Sequence, residues 1–463
     1  MPSLGLAMIV KNGVNTLREC LASVTGLTAQ IVIVDTGSTD GSAQLARDLG
    51  ATVFDLPWQD DFSKARNAAL QALTTEWALV LDDDEELDPA ARAKIPSLLE
   101  NAAVGGYCLT LRNYLPVRFG LGGHAPSVQP NHSSIERAKQ SPAYTDFTIC
   151  RLFRRHPEIY YVGRVHELVE SRIRAVGLEI QLTDLVIHHF GILSSDAERR
   201  AKDEFYRKLG RLKVKENPND ADAWVELGLQ EYEQFKNYSA GIECFEKALT
   251  LNPMVSPVPY LSLANLYIEI HEYVRALQLL NETTMSGRAA GERAHISGDA
   301  LYNLGRLQEA RAAYLRGLEI LPDDARVRSK LGLTEVRLGL KKKGLIRLDN
   351  ALKAAPEVFE MHDRMIKAYL VMNRMPQAAA AAERLATDLP NVTTILRAVS
   401  IRGHMRQWKA AEKIVDRGLQ KFPGDKQLLE AKKELQQEIG AASAAKSGYC
   451  TTGRSEVKSL SRP

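Results

Sequence analysis

The sequence predicts an α/β domain followed by an all-α solenoid of repeated helix pairs. The first ninety residues alternate short apolar runs with helix-like segments, which is typical of a sheet covered by helices on both faces. From about residue 194 the pattern is helical, and prolines recur in it at a spacing of 34 residues. With 463 residues the chain is too long for one core, so two or three domains are expected.

Four apolar runs in the first part predict β-strands joined by helices. The predicted strands are Leu4–Val10, Gln30–Asp35, Thr52–Leu56 and Trp77–Leu81. The predicted helices between them are Thr16–Thr25, Ser42–Leu49 and Ser63–Leu73. Because continuous apolar strands joined by helices are typical of parallel sheets, we expect these strands to run parallel.

Polar residues follow three of these strands. Lys11 follows the first strand, Asp35 ends the second, and five consecutive acids, Asp82–Glu86, follow the fourth. The carboxyl ends of the strands form the edge at which sheets of this class bind their ligands. The acidic run is therefore expected at a binding edge.

Two carboxylates of this run suit a metal site. Mg²⁺ or Mn²⁺ typically takes one or two protein carboxylates and completes its shell with water and substrate phosphate. Residues i and i+2 of an extended segment point to the same side, so Asp82 and Asp84 can serve a metal and a ribose hydroxyl while Asp83 points away. The other acids are interpreted as charges at the N-terminus of the helix that begins near Pro89. They are Glu85, Glu86 and Asp88.

The segment from Arg112 to Phe147 is rich in glycine and proline and lacks periodicity. We interpret it as a long loop on the acceptor side of the site or as a lid, because long loops in compact domains are often functional. Strands are predicted to resume at Thr148–Phe153, Ile159–Val162 and Glu179–His188.

The second half of the chain repeats. Successive intervals of 34, 34 and 33 residues separate Pro322, Pro356, Pro390 and Pro423. Small residues stand twelve positions before the prolines of four units, at Gly241, Ala310, Gly344 and Ala378. The first unit matches the tetratricopeptide pattern, with one inserted residue, through Trp224, Gly228, Phe245, Ala248 and Pro253. Small residues let paired helices approach closely and proline ends the second helix, so five or six units are expected between residues 221 and 422.

Three further segments complete the predicted organisation. Asp196–Glu216 has the pattern of a helix, Asp425–Ile439 that of a polar capping helix, and Gly440–Pro463 that of a disordered tail. The predicted domains are an α/β domain at 1–193, a linking helix at 194–220, repeats with their cap at 221–439, and the tail at 440–463.

Composition excludes several classes of protein. A net charge of +3 gives no support for a nucleic-acid partner. The five cysteines are scattered and lack C-x-x-C spacing, so neither a disulfide framework nor a zinc site is expected. No apolar run reaches the roughly 18 residues of a spanning helix, and the N-terminus lacks a signal-peptide pattern. We expect a cytoplasmic location, compatible with peripheral association at the inner face of the membrane.

Motifs narrow the chemistry further. The turn after the first strand reads KNGVNT, which is not the G-x-G-x-x-G of a dinucleotide-binding unit. The chain contains no Walker A loop, H-E-x-x-H or G-x-S-x-G. A carboxylate-rich metal site on a nucleotide-binding type of sheet remains.

Six motifs between Met8 and Gly191 carry a resemblance to a known family. They are MIVKNGVNTLRECLASV, IVIVDTGSTDGS, WQDDFSKARNAAL, WALVLDDDEEL, RLFRRHPEIYYVGRVHE and VIHHFG. In this order they resemble the family 2 inverting glycosyltransferases, in the branch that includes lipopolysaccharide-core and tetratricopeptide-linked enzymes. The resemblance implies a GT-A fold with a Rossmann-like mixed sheet, a nucleotide-sugar donor, expected to be a UDP-sugar, and a divalent cation, Mg²⁺ or Mn²⁺.

The resemblance also implies roles for residues at the carboxyl edge. Asp35 is expected to bind the base or ribose, and Asp82 and Asp84 to form the acidic pair, with Asp84 the better metal ligand. Further donor contacts are expected from Lys11, Arg66 and Asn67, the last two at the nucleotide diphosphate. One departure is Gly13, where the family usually has glutamate, and a nucleotide contact is in doubt there.

Residues of the later motifs are assigned with less support from the pattern. His189 is expected to complete the metal shell, since related enzymes use a late histidine. We predict Glu167 as the base that takes the acceptor proton, with Asp146 as the second choice. A basic cluster is interpreted either as surface charge or as including arginines that bind the pyrophosphate. It consists of Arg151, Arg154 and Arg155.

The sequence thus predicts a metal-dependent inverting glycosyltransferase whose acceptor is a glycan, a lipopolysaccharide, or a protein or peptide. The repeats are expected either to dock a protein or peptide that is, or carries, the acceptor, or only to stabilise or oligomerise the enzyme. Two alternatives stay open. A sugar nucleotidyltransferase would need a glycine-rich basic loop after the first strand. A tetratricopeptide scaffold with a degenerate transferase domain is favoured faintly by Gly13 and opposed by the intact acids.

Overall fold

The computed structural model describes residues 2–115, 129–131, 133, 135–191 and 196–446. The chain divides into two compact units, Met1–Ile270 and His271–Pro463. The first unit includes the sheet and the helices that directly follow it, so this division lies inside the helical part. The domain borders at residues 193 and 220 stay predictions from the sequence. No helix among the described residues is both long and apolar enough to cross a membrane.

Nine strands form one mixed sheet in the described part of the first unit. They are β1 (Leu4–Val10), β2 (Gln30–Asp35), β3 (Thr52–Asp55), β4 (Trp77–Val80), β5 (Glu85–Leu87), β6 (Val104–Leu115), β7 (Gln129–Pro130), β8 (Ala143–Arg154) and β9 (Glu179–His189). The order is β3-β2-β1-β4-β8-β6-β9-β5, and β7 pairs with β8. The first four strands are parallel, as predicted, whereas β8 runs antiparallel to β4 and β6. The mixed sheet that the resemblance implied is confirmed.

Five helices accompany the sheet. They are α1 (Leu17–Val24), α2 (Ser42–Asp48), α3 (Phe62–Ala72), α4 (Pro89–Leu98) and α5 (Glu170–Ala175). The start of α3 is capped by Asp61, which accepts from the Lys64 amide at 3.2 Å. Asp88 caps α4 in the same way at the Ala90 amide, with Pro89 in the first turn. These caps explain why the predicted helices begin within a residue or two of their observed starts.

The hydrophobic core lies on both faces of the sheet. Every residue of β1 is buried, and its side chains alternate between the two faces. Leu6 and Met8 join one apolar cluster, with Trp77 and Ile95. Ala7 and Ile9 join the opposite cluster, which contains α3. Burial on both faces is the reason that β1 reads as one continuous apolar run.

Two predictions about the middle of the domain were wrong in part. Arg112–Leu115 belongs to β6 and Ala143–Phe147 to β8, because the two strands stay paired up to Leu115 and Ala143. Residues 116–128 lie outside the described residues, so the predicted lid stays a prediction. Ile159–Val162 is not a strand but carries one isolated bridge, from Val162 to Leu168. Gly163 and His166 have φ of 108° and 52° there, and these turns end any extended run.

The helical part begins within the first unit. Its helices there are α6 (Asp196–Glu216), α7 (Ala221–Leu229), α8 (Tyr238–Leu251) and α9 (Val258–Glu269). The bounds of α6 agree with the prediction. A π-helical turn at Gln230–Gln234 follows α7. Because a π-helical turn holds an extra residue, it accounts for the single insertion in the first repeat.

The second unit continues the helix pairs. Its helices are α10 (Tyr273–Asn281), α11 (Gly287–Asn303), α12 (Leu307–Ile320), α13 (Ala325–Arg337), α14 (Lys341–Ala354), α15 (Phe359–Val371), α16 (Met375–Asp388), α17 (Val392–His404), α18 (Trp408–Lys421) and α19 (Lys426–Lys446). In the described residues, α7 to α18 make six successive pairs, which agrees with the five or six predicted repeats. The predicted cap extends to Lys446, so residues 440–446 are helical and not part of a disordered tail. The rest of the tail lies outside the described residues.

The small residues of the repeats lie where paired helices touch. A Cβ atom on Gly344 of α14 would lie 2.5 Å from the carbonyl oxygen of Gly332 in α13. The alanines in the corresponding positions, Ala310 and Ala378, are fully buried. The expectation that small side chains permit close helix packing is confirmed for these pairs.

Candidate active site

The carboxyl ends of β1, β2 and β4 bring the predicted site residues to one edge of the sheet. Val10 of β1 is level with Asp35 of β2, and Ala7 is level with Val80 of β4. The polar residues that follow these strands are therefore neighbours in space. Lys11 lies exposed at this edge, directly after β1.

Asp35 has one engaged and one unengaged carboxylate oxygen. Its Oδ1 accepts hydrogen bonds from the backbone amides of Gly37 and Ser38, both at 2.8 Å. Its Oδ2 is buried and has no hydrogen-bond partner among the described residues. A buried oxygen of this kind normally has a partner. The first oxygen fixes the side chain, and the second is left for a donor group of a ligand.

Asp82 belongs to a buried cluster that we call the arginine network, formed by Arg66, Asp82, Glu85, Arg151 and Glu167. Arg66 and Arg151 each lie 2.9 Å from a different oxygen of Asp82. Arg151 also contacts Glu85 at 2.9 Å, and Arg66 binds Glu167 through its Nε atom. Burial alone would raise the pKa of Asp82, but the charges of the two arginines hold it well below its usual range.

The interpretation of Glu85 as a charge at the N-terminus of the next helix was therefore wrong. Its side chain is 1% exposed, because β5 carries it inward to meet Arg151. Asp88 does cap α4, whereas Glu86 forms an ion pair with Arg137 at 2.8 Å. Of these three acids, only Asp88 is shown at the helix terminus.

Asp84 faces His189 across the ends of β4 and β9. The distance from Asp84 Oδ2 to His189 Nε2 is 3.4 Å. The other ring nitrogen of His189 is hydrogen-bonded to the side-chain oxygen of Asn113, which assigns the proton to that nitrogen when the ring is neutral. In this tautomer the unprotonated Nε2 of His189 and the carboxylate Oδ2 of Asp84 face each other, and both can donate an electron pair to a cation. Burial lowers the pKa of His189, but its hydrogen bond and attraction to Asp84 raise it overall.

The surroundings of this pair fit a divalent cation. A Cβ atom on Gly191 would lie 2.1 Å from Asp84 Oδ2 and 2.7 Å from His189 Nε2, so the glycine leaves the space beside both donors open. The described residues contain no group of three acidic, histidine or cysteine side chains at metal-binding spacing. Two protein ligands are sufficient for Mg²⁺ or Mn²⁺, which take their remaining ligands from water and substrate. Asp82 points into the arginine network instead of completing such a group.

The position of the Asp83 side chain accounts for the glycine at position 13. Asp83 turns toward the start of α1, where its Oδ2 accepts a hydrogen bond of 2.6 Å from the Thr16 hydroxyl. A Cβ atom on Gly13 would lie 2.4 Å from the same oxygen. Burial, opposed by the Thr16 bond and assisted by the charges of Asp84 and Asp82, raises the pKa of Asp83 to about 6. Position 13 lacks the glutamate that is usual in the family, and the carboxylate of Asp83 occupies the space that a side chain there would need.

The two candidate bases lie in different settings. Glu167 is 10% exposed and is held through Oε1 by Arg66. Asp146 makes two hydrogen bonds of 2.9 Å to Arg112, which stands opposite it on β6. Neighbouring residues of a strand point to opposite faces, so Asp146 and Arg112 face away from Asn113 and the metal pair.

The remaining predicted residues have mainly structural contacts. The side chain of Asn67 binds both the amide and the carbonyl of Tyr161, at 2.8 and 2.9 Å, and so holds the loop that precedes Glu167. Arg154 donates to the carbonyls of Val104 and Asn101. Of the basic cluster, Arg151 alone joins the site's carboxylates, while Arg155 donates to the Thr75 carbonyl.

Two site residues were not predicted as such: Asn113 had no signal in the sequence, and Gly191 appeared only as the last residue of the motif VIHHFG. Asn113 reaches His189 because β6 and β9 pair in register at these positions. Gly191 matters only through the space that it leaves beside Asp84. Both depend on pairing between distant strands, which local pattern does not reveal.

Family models match segments in both parts of the chain. Residues 6–159 match the model of the family described as glycosyl transferase family 2. Residues 221–253 and 298–339 match models of tetratricopeptide repeats. Segments of the α/β part and of the helical part thus match different family models.

Individual proteins are similar to parts of this chain. A TPR repeat-containing protein of Synechococcus elongatus is 28% identical over 234 residues, covering 49% of this chain and 52% of the relative. The lipopolysaccharide core biosynthesis glycosyltransferase LpsC of Rhizobium meliloti is 34% identical over 147 residues, covering 30% and 53%. The chain thus spans about half the length of these relatives. A tetratricopeptide repeat protein of Parabacteroides merdae superimposes with a TM-score of 0.41 at 16% identity, covering 52% of this chain and 95% of that one.

Proposed function

We propose that this chain, which carries a family 2 glycosyltransferase domain followed by tetratricopeptide repeats, is an inverting glycosyltransferase that uses a nucleotide-sugar donor and a divalent cation. The observation that carries the proposal is the facing pair of Asp84 and His189, with open space beside it at the carboxyl edge. A UDP-sugar is the donor class that we expect.

The donor nucleoside is assigned to Asp35. Its buried Oδ2 lacks a partner among the described residues and can accept a hydrogen bond from a ribose hydroxyl or a base N–H. The shallow pocket beside it is lined by Thr36, Leu56, Trp58 and Lys64. Lys11 lies exposed at the same edge and can contact the donor phosphates.

The charge of the site explains the need for a cation. The arginine network contains three carboxylates and two guanidiniums, which leaves one excess negative charge. Asp84 adds another, and a nucleoside diphosphate brings more. Asp84 and His189 would hold Mg²⁺ or Mn²⁺, which when bound offsets the charge that develops on the leaving diphosphate. Arg66 and Arg151 bind both oxygens of Asp82, so this carboxylate acts through the arginine network beside the site.

Glu167 is assigned the role of general base. The acceptor hydroxyl or thiol attacks the anomeric carbon from the side opposite the diphosphate, and the bond from that carbon to the diphosphate oxygen breaks. The proton of the acceptor passes to Glu167. Its described ion pair involves Oε1 only, so the contact with Arg66 fixes the side chain without occupying both oxygens.

The repeats are assigned to binding a protein or peptide that is, or carries, the acceptor. Stacked helix pairs present extended surfaces of the kind that bind chain segments. The alternative of a degenerate transferase domain is less well supported, since Asp83 compensates sterically for Gly13 and the acids of the site are present.

Donor hydrolysis by the purified full chain tests the proposal. The chain is incubated with a panel of UDP-sugars in the presence of Mn²⁺, Mg²⁺ or EDTA, and the released UDP is measured. We expect at least one UDP-sugar to be hydrolysed with Mn²⁺ or Mg²⁺ and not with EDTA. The same donor should raise the melting temperature only when the metal is present. A chain that neither binds nor hydrolyses any donor of the panel would support the scaffold alternative.

A further inference from the structure

The helix α6 lies beyond the segment that matches the glycosyltransferase family, yet it packs against the α/β domain. Lys208 of α6 forms an ion pair with Asp60 at 2.6 Å, at the loop before α3. Lys213 donates to the carbonyl oxygen of Val165 at 3.2 Å, two residues before Glu167. The helix is therefore attached both to the loop before α3 and to the loop that carries the proposed base.

Aromatic side chains fill the space between these attachments. We call them the aromatic cluster, and its members are Trp58, Phe62, His166, Phe205 and Tyr206. Phe205 of α6 lies 5.6 Å from Trp58, measured between ring centroids. The ring of Tyr206 is stacked on Phe62 at 5.8 Å and on His166 at 6.3 Å. Such stacking contacts hold an aromatic ring in one orientation.

The ring of Tyr206 is held, but its hydroxyl forms no hydrogen bond among the described residues. The side chain is half-buried, and its oxygen is not one of the described polar atoms that are fully buried without a partner. His166, on which the ring stacks, directly precedes Glu167 in the chain. Glu167 is in turn joined through Arg66 to Asp82. The phenol thus stands beside the arginine network.

The acidity of Tyr206 agrees with this location. Burial, followed by the negative charges of Asp82 and Glu167, raises the pKa of Tyr206 to about 12. The hydroxyl therefore keeps its proton at neutral pH and can donate a hydrogen bond. No described carboxylate accepts a hydrogen bond from it: Asp82 and Glu167 are paired with Arg66, and Asp84 faces His189. An oxygen of a bound ligand can therefore serve as its acceptor.

We propose that Tyr206 is a substrate-contacting residue supplied by α6, and that its hydroxyl donates a hydrogen bond to an oxygen of the nucleotide-sugar donor. The inference rests on the proposed function and extends it, because it adds to the donor site a residue of α6, a helix that lies beyond the matched segment of residues 6–159. The oxygen belongs either to the diphosphate or to the sugar, and the two cases differ in a binding experiment.

The experiment compares the full-length wild type with Tyr206→Phe, which removes the hydroxyl and keeps the stacked ring. Tyr232→Phe is the matched control. Tyr232 is also half-buried, and burial likewise raises its pKa to about 12, but it lies in the π-helical turn after α7. The dissociation constants of UDP and UDP-glucose are measured by calorimetry with Mn²⁺ present, together with the kinetics of donor hydrolysis.

We expect Tyr206→Phe to weaken donor binding by about ten-fold, the usual effect of losing one hydrogen bond to a strong acceptor, with an unchanged melting temperature. A loss for both UDP and UDP-glucose assigns the contact to the diphosphate, and a loss for UDP-glucose alone assigns it to the sugar. Tyr232→Phe should bind both like the wild type.

Equal affinities and equal hydrolysis by the wild type and Tyr206→Phe would overturn this inference while leaving the proposed function intact. A defect in transfer to an acceptor without any change in donor binding or hydrolysis would overturn it too, because the contact would then be to the acceptor. A wild type that binds neither UDP nor any UDP-sugar of the panel would overturn the proposed function and this inference together.

Discussion

At the scale of single residues, the site separates carboxylates that bind arginine from carboxylates left for a ligand. Asp82, Glu85 and Glu167 are all paired with Arg66 or Arg151. Asp84 faces a histidine with open space beside it, and Asp35 keeps one oxygen without a partner in the described residues. Paired acids organise the site, and the unpaired ones are therefore the strongest candidates for contact with the donor.

Asp84→Asn should abolish transfer while the protein stays folded. Loss of the carboxylate charge would remove one of the two protein ligands that we propose for the cation and leave the charge of the diphosphate uncompensated. We expect a loss of about 10²-fold or more, as for the removal of one strong electrostatic stabiliser. The neighbouring Asp83→Asn is the control, because Asp83 faces Thr16 and not the metal pair. Turnover of Asp84→Asn close to that of the control would exclude the metal assignment.

A second prediction at the scale of residues compares the turnover numbers of variants of the two candidate bases. Glu167→Gln should lower the turnover number of transfer by about 10² to 10⁴-fold, the range of general base catalysis. Asp146→Asn should change it little, because Asp146 is held by Arg112 and faces away from Asn113. Steady-state kinetics of both variants, with donor binding measured separately, make the comparison. A larger loss in Asp146→Asn would reverse the assignment.

At the scale of elements, buried charge joins α6 to the first repeat. Glu231 in the π-helical turn is 2% exposed and binds Arg207 and Arg211 of α6. Three hydrogen bonds of 2.7 to 2.9 Å connect these side chains. The contact ties the helix that carries Tyr206 to the repeat that follows it. The contribution of this contact to stability can therefore be measured as a change in the free energy of unfolding.

Glu231→Gln should lower the free energy of unfolding at pH 7 by about 2 kcal/mol, since charged hydrogen bonds to two arginines are lost. Burial would raise the pKa of Glu231, but the hydrogen bonds to Arg207 and Arg211 lower it overall from its ordinary value of 4.5. A lowered pKa gives stability that is present above that value and is lost as the pH falls through the folded-state pKa. The difference between wild type and variant should therefore shrink below about pH 4.5. A constant difference in denaturation experiments across pH 3 to 7 would contradict this explanation.

One glycine of the repeats and one of the capping helix α19 make a matched pair of element-scale tests. Gly344→Ala should destabilise the protein by about 1–3 kcal/mol, because the added Cβ would lie 2.5 Å from a backbone oxygen of the paired helix. Gly440→Ala should be neutral or stabilising by up to about 1 kcal/mol, since this helical glycine has open space around it. Thermal unfolding of both variants measures the contrast. Equal effects would mean that helix propensity, and not packing, governs these positions.

At the scale of the whole molecule, the first compact unit extends to Ile270 and so includes α6 to α9. Every residue that we assign to the site, including Tyr206, lies within it. The unit contains the sheet, the arginine network and the aromatic cluster. The chemistry is therefore expected to be independent of the second unit, whereas binding of a macromolecular acceptor is not.

A fragment of residues 1–270 should fold and hydrolyse the donor at a rate within a few-fold of the full chain. Transfer to a protein-borne acceptor should fall, mainly through a raised KM for that acceptor. A shorter fragment of residues 1–193 should lose donor affinity, because it lacks α6 and with it Tyr206. Circular dichroism and limited proteolysis serve as controls for folding. Unchanged transfer by the 1–270 fragment would contradict docking by the second unit and favour a role in stability or oligomerisation.

Much of the fold was predictable because its information is local. The strands β1, β2 and β4 are continuous apolar runs, and Pro89, Asp88 and Asp61 mark helix starts through their own side chains. The repeats were visible because proline and small residues return at the length of one helix pair. The strand predicted at Ile159–Val162 failed, since backbone turns at Gly163 and His166 outweigh the apolar pattern there.

The sequence by itself determined the two-part architecture, the carboxyl edge, and the identity of Asp35, Asp82 and Asp84 as its acids. Only the tertiary structure decided which of these acids are free. Pairing of β4 with β8 brings Arg151 to Asp82, and pairing of β6 with β9 brings Asn113 to His189. Packing of α6 brings Tyr206 to the loop of Glu167. The physical reason is that a carboxylate's role depends on the cations and dipoles around it, and these come from residues far away in the chain.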